Sequence, residues 1–154
     1  VTHFRDLTPY SYFELEPGTV NVGWLARWHP FPLGATSEEF RRRLIVFCEN
    51  PPGRYATRGF HMCDFCGRAG SSSEMRVIGK DRAYAAPVLI AHYVTAHHYK
   101  PPQEFIDAVL TSPLPDSPEM KERFGEPRHH ELTLPDYYID QGQERERKPW
   151  WRFW

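Results

Sequence analysis

Gly59-Phe60-His61-Met62-Cys63-Asp64-Phe65-Cys66-Gly67 is answered downstream by Ile90-Ala91-His92-Tyr93-Val94-Thr95-Ala96-His97, and together the two stretches organise the chain. The cysteines form C-x2-C, 25 residues intervene, and the histidines form H-x4-H. Two thiolates and two imidazoles are the donor set that a tetrahedral zinc ion prefers. Gly67, just behind the second cysteine, permits a positive φ. That suits a tight turn whose backbone N–H groups face the sulfurs, a zinc knuckle. The histidines are five apart, about 140° past one full turn of an ideal helix. They converge only if the helix end near His97 loosens or tightens, and Tyr99-Lys100-Pro101-Pro102 marks such an end. His61 and His98 stand as substitutes for either histidine.

Two other readings of the cysteine pair stay open. A redox dithiol is one, although Gly67 to Ser73 makes a poor helix start for that chemistry. Plain thiols in a turn are the other. If the site holds zinc, four protein ligands close the shell and leave no position for water, and no H-E-x-x-H arrangement supplies a general base. The expectation is therefore structural Zn2+ held by Cys63, Cys66, His92 and His97.

Working outward, Glu74 to Ile78 and Arg82 to Ala85 read as two strands around the turn Gly79-Lys80-Asp81. Pro87 fits the first position of a helix running to His97. Knuckle, loop, hairpin and helix over residues 59 to 99 resemble the treble-clef and related Cys2His2 zinc folds. Upstream, Thr36-Ser37-Glu38-Glu39 reads as a capping box with Thr36 as the cap. The helix that follows, to about Glu49, buries Phe40, Leu44 and Phe47, with Cys48 a small buried hydrophobe. Thr19 to Leu25 reads as one weak strand. Pro102 starts a short helix with Phe105, Ile106, Val109 and Leu110 inward, and Ser112 to Pro127 reads as extended over the surface.

Composition sets the wider frame. In 154 residues there are 15 prolines, five Trp, eight Tyr and ten Phe, so short elements joined by ordered connections are expected rather than a helical bundle. Residues 1 to 34 read as an aromatic arm packed on the core. Net charge is -1, which gives no global pull toward nucleic acid or membrane. Three cysteines, two clustered, are not a secreted disulfide framework. No apolar run reaches the roughly 18 residues of a membrane span, and the first residues carry no apolar signal core. A cytoplasmic protein is the expectation.

The division expected is one zinc-binding α+β domain over residues 1–112 and a proline-rich, charged extension over 113–154. That extension closes with Trp150-Trp151-Arg152-Phe153-Trp154, four rings in five residues. Trp150, Trp151, Phe153 and Trp154 are candidates for docking into a groove on another protein, or for folding back onto this one. Two further possibilities compete with a protein-interaction module. Arg41, Arg42, Arg43, Arg54, Arg58, Arg68 and Arg76 form a basic patch for nucleic acid if they cluster around the knuckle. His129, His130 and Glu131 with Asp136 and Asp140 form a second titratable group, which a metal-dependent hydrolase would use.

Phe4-Arg5-Asp6-Leu7-Thr8-Pro9-Tyr10, Asn21-Val22-Gly23-Trp24-Leu25, His29-Pro30-Phe31-Pro32, Arg58-Gly59-Phe60-His61, the C-x-x-C pair, and Tyr84-Ala85-Ala86-Pro87 through His92, His97 and Pro102 together resemble an uncharacterised family of bacterial hypothetical proteins. The resemblance spans roughly residues 4 to 110. It implies a shared fold and a bacterial origin, and no chemistry.

Overall fold

A computed structural model describes residues 2–12, 16–56, 60–130 and 132. The chain is α+β. A three-stranded sheet has the order β1-β5-β4, with β1 (Thr19–Asn21) parallel to β5 (Ala83–Pro87), and β4 (Glu74–Ile78) antiparallel to β5. A second ribbon pairs β2 (His61–Met62) with β3 (Gly70–Ser71) at the knuckle. Four helices complete the described residues: α1 (Glu38–Glu49), α2 (Ile90–His97), α3 (Gln103–Thr111) and α4 (Pro118–Phe124).

Strand alternation sorts the two faces of the larger sheet. Met75 and Val77 pair across from Ala86 and Tyr84, and all four join the core built with α1, α2 and α3. Arg76 pairs with Ala85 on the opposite face, where Ala85 packs with Tyr10, Trp24 and Phe4 of the N-terminal arm. The aromatic arm is thus the sheet's second layer. It is stitched to β1 by Leu7 N–H to Asn21 O, Asn21 N–H to Thr8 O and Tyr10 N–H to Thr19 O.

The arm is also clasped by a buried ionic cluster. Arg76 donates to Glu74 Oε1 at 2.9 Å and to Glu16 Oε1 at 3.1 Å. Tyr10 donates its hydroxyl proton to Glu74 Oε1 at 2.8 Å. The guanidinium lies 3.7 Å from the Tyr55 ring centre and 4.5 Å from that of Tyr10, between two aromatic faces that favour a cation.

Several element boundaries differ from the sequence reading. The strand expected to reach Leu25 stops at Asn21, because Gly23 has φ +77 and turns the chain against Ile90. Ser37, not Thr36, caps α1, and its hydroxyl accepts from Phe40 N–H at 3.1 Å. The Thr36 carbonyl is taken by Arg41. Pro87 ends β5 rather than opening a helix, the ladder continuing through Val88 N–H to Ser73 O, so α2 begins only at Ile90.

The stretch Ser112 to Pro127 is not simply extended. Ser117 caps α4, Pro118 opens it, and Met120 and Phe124 are buried in the main core. N-cap serine, N1 proline and an i, i+4 apolar pair are a helix signature that the many prolines mask. Among the described residues, no helix is long and apolar enough to cross a membrane.

Candidate metal centre

The knuckle turn follows from its own residues. Gly67 adopts φ +65 and donates its N–H to Cys63 O at 2.9 Å, while Cys63 N–H bonds Ala69 O at 2.7 Å. The Phe65 and Cys66 N–H groups are directed at the Cys63 sulfur. Asp64 ties the knuckle to the N-terminal segment, its Oδ2 accepting from Arg27 N–H at 2.7 Å.

The facing histidines come from the two ends of α2. His92 is the third helical residue and His97 the last. The helix end loosens as the spacing requires. His98 takes a left-handed conformation at φ 55, and the N–H groups of His98 and Tyr99 both reach back to Tyr93 O. That carbonyl lies one or two residues beyond the normal i−4 partner. Asp6 holds this end, accepting from the Tyr99 hydroxyl through Oδ2 at 2.7 Å and from Gly23 N–H through Oδ1 at 3.0 Å. The N-terminal arm therefore helps to aim His97.

Cys63, Cys66, His92 and His97 converge, their ligand atoms all within 4.8 Å of one another. His92 Nε2 lies 3.2 Å from His97 Nε2, Cys66 Sγ lies 3.3 Å from His92 Nε2, and Cys63 Sγ lies 3.4 Å from His97 Nε2. With metal–nitrogen bonds of about 2.0–2.1 Å and metal–sulfur bonds of about 2.3 Å, a regular tetrahedron has N···N edges of about 3.3 Å and S···N edges of about 3.6 Å. These three donor pairs stand within a few tenths of an ångström of those edges.

Cys63, Cys66 and His92 are buried, and His97 is half-buried. Phe65 packs on the His97 ring at 5.3 Å and on Tyr93 at 5.9 Å, and Phe31 closes over Phe65 at 5.2 Å. Burial pushes the Cys63 thiol up to about 12, against the pull of the Phe65 and Cys66 N–H groups. It lowers His92 to about 3 and His97 to about 4, with a nearby histidine adding to each. Both imidazoles are thus neutral at pH 7 and keep a lone pair for a metal. A divalent cation would displace the thiol protons.

The other candidates fall elsewhere. His61 and His98 lie outside the cluster. Among the described residues, three of the seven arginines are committed elsewhere. Arg76 is buried, Arg43 donates to Val109 O and Ser112 O, and Arg42 pairs with Glu38. Arg58 lies outside the described residues, as do Glu131, Asp136, Asp140 and the aromatic segment Trp150, Trp151, Phe153 and Trp154. His129 Nδ1 hydrogen-bonds Asn50 Oδ1 at 3.0 Å. Sequence reading missed the Arg76 cluster, because Tyr10 lies 64 residues from Glu74 and Glu16 lies 60 from Arg76, and the four carry no motif.

A family described as Domain of unknown function (DUF7919) matches residues 2–110, a span that contains the whole cluster. The chain belongs to the DUF7919 family. No curated protein matches it, and no solved structure does. The DUF7919 match and the motif resemblance cover nearly the same stretch, and both stop before α4.

Proposed function

We propose that Cys63, Cys66, His92 and His97 hold one structural zinc ion, and that the chain is a non-catalytic protein-interaction module assembled on it. The convergence of the four donors carries this reading: all lie within 4.8 Å of one another, and three of their pairs match the edges of a tetrahedral site. Two sulfurs with two imidazoles in tetrahedral array favour zinc over magnesium or calcium, which take oxygen, and over square-planar metals. A shell of four protein ligands leaves no open position for a substrate or an activated water. The centre joins the knuckle, the helix and, through Asp6 and Arg27, the N-terminal arm. A metal there contributes directly to folding free energy.

The finer fold reading is treble-clef-like. His92, in the first turn of α2, sits where such folds place a helical ligand, while His97 at the far end departs from the pattern. The thiolate ligands suit a reducing compartment such as the cytoplasm. In this reading Trp150, Trp151, Phe153 and Trp154 are the docking element. A second reading, nucleic-acid binding, draws support from one concavity that Phe60, Arg128 and His130 line together, an aromatic platform beside basic groups. Salt separates the two, because phosphate contacts make affinity fall steeply with ionic strength.

Metal analysis by mass spectrometry tests the proposal, on native protein beside Cys63→Ser and His92→Ala. About one zinc per chain is expected in the native protein, with zinc and cooperative unfolding lost together in both variants. Native protein purified without chelator and free of metal would refute it.

A further inference from the structure

The knuckle ribbon presents two large apolar side chains to solvent. Phe60 is 67% exposed and Met62 44%. Two apart on an extended chain, they share a face. Gly70 pairs with Met62 across the ribbon, and its bare backbone seats both side chains. A Cβ there would lie 2.3 Å from the Phe60 ring and 2.6 Å from the Met62 sulfur. Glycine at this position creates an apolar ridge.

Concavities open on both sides of the ridge, and Phe60 lines both. One, of about 600 Å³, is walled by Arg27, Asp64 and Phe65. The other, of about 330 Å³, is walled by Ala56, Arg128 and Leu132. Leu132 is the last described residue, so the chain leaves the described fold beside the ridge. Trp150-Trp151-Arg152-Phe153-Trp154 follows 18 positions later.

We propose that Trp150–Trp154 docks in cis onto the Phe60–Met62 ridge and fills the concavities beside it, so that a protein partner of the module must displace this segment. The proposal rests on the reading of the chain as an interaction module. Eighteen residues of chain reach at most about 60 Å. A domain of this size has a radius of gyration of about 15 Å, so the sequence between Leu132 and the rings is long enough to bring them to the ridge. Tethering within one chain sets an effective concentration of about 1 mM, well above that of a free partner at micromolar levels. Indole and phenyl rings match a phenylalanine ring and a methionine thioether. The exposed Arg128 in the wall of the second concavity offers a cation to an indole face. Among the described residues, Trp28 and Leu33 are also strongly exposed, but they line neither concavity, and Trp28 is already faced by Arg27 at 5.1 Å.

Hydrogen–deuterium exchange tests this on the full chain and on a chain ending at Pro149, with zinc content measured in both. Removal of the five residues is expected to speed exchange at Phe60–Met62 and Gly70–Ser73 by about ten-fold, the ratio of effective concentration to a ~100 μM affinity. Protection in the full chain should not change on dilution, and a peptide of residues 149–154 at millimolar concentration should restore it to the shortened chain. Phe60→Ser with Met62→Ser in the full chain should abolish the effect of truncation on Gly70–Ser73. Unchanged exchange on truncation would overturn the docking, and so would protection that fades on dilution, which would assign the contact to a second copy. Either result with zinc still bound leaves the metal centre standing, whereas absence of zinc refutes the metal reading whatever the exchange shows.

Discussion

Replacing Arg76 with methionine tests how the N-terminal arm is held. The guanidinium side chain is 0% exposed, against 1% for Glu74 and 14% for Glu16. It donates to both carboxylates and to Met75 O. Methionine keeps the apolar stem between Tyr10 and Tyr55 but strands a buried carboxylate. Glu74 would be left with the Tyr10 hydroxyl alone, and among the described residues its Oε2 already has no hydrogen-bond partner. Breaking a buried pair in this way costs about 3–5 kcal/mol. At about 2–4 °C per kcal/mol for a chain of this size, the midpoint should fall by about 10 °C. Thermal unfolding followed by circular dichroism, on zinc-loaded protein at pH 7, reads the midpoint, and urea denaturation reads the free energy. The double variant Arg76→Met with Glu74→Gln should recover about 2 kcal/mol of the loss, because the stranded charge is gone. A single variant within about 1 kcal/mol of native, or a double variant no better than the single, would refute the idea that Arg76 is held chiefly to neutralise Glu74.

The same cluster sets a pH dependence. Burial raises the Glu74 carboxyl above the usual range, outweighing Arg76 and Tyr10. Burial also works against Glu16, but the hydrogen bond and charge of Arg76 prevail and hold it low. Glu16 therefore adds stability above its unfolded pKa that is lost as pH falls through its folded value. Glu74 acts oppositely, costing stability as pH rises through its raised value. Glu74→Gln should accordingly lose more stability than native protein on acidification toward the carboxylate range, and Glu16→Gln less, as urea midpoints measured across pH will show. Gly23→Ala should cost about 2–3 kcal/mol, since a Cβ would meet Ile90 at 2.6 Å at a backbone with φ +77; an unchanged midpoint contradicts the packing described. Phe124→Ala should cost about 3–5 kcal/mol if α4 belongs to the core, and less than about 1 kcal/mol if it lies on the surface.

What the sequence made legible was chemistry at fixed local spacing. The C-x2-C turn with Gly67, the α1 stripe of Phe40, Leu44 and Phe47, and the need for a loosened helix end at His97 all follow from periodicity and φ preferences that neighbouring residues cannot hide. The errors lie where a distant contact competes with a local signal. The capping shift, by contrast, is local: Ser37, next to Thr36, has the hydroxyl that accepts from Phe40 N–H. The strand from Thr19 stops early because Gly23 must clear Ile90, a residue of α2. Pro87 stays in the sheet because the Glu74 pairing and the Val88 N–H bond to Ser73 O extend the ladder past it. The Asp6 link to Tyr99, which steadies the end of α2, joins residues whose pairing no local pattern announces.

X-ray absorption at the zinc edge, on native protein purified without chelator, reads the proposed donor set. A four-coordinate shell of two sulfurs at about 2.3 Å and two imidazole nitrogens at about 2.0–2.1 Å is expected, with Cys66→Ser converting one sulfur shell to oxygen or releasing the metal. A shell containing a water oxygen, a different sulfur-to-nitrogen ratio, or no bound zinc at all would contradict it.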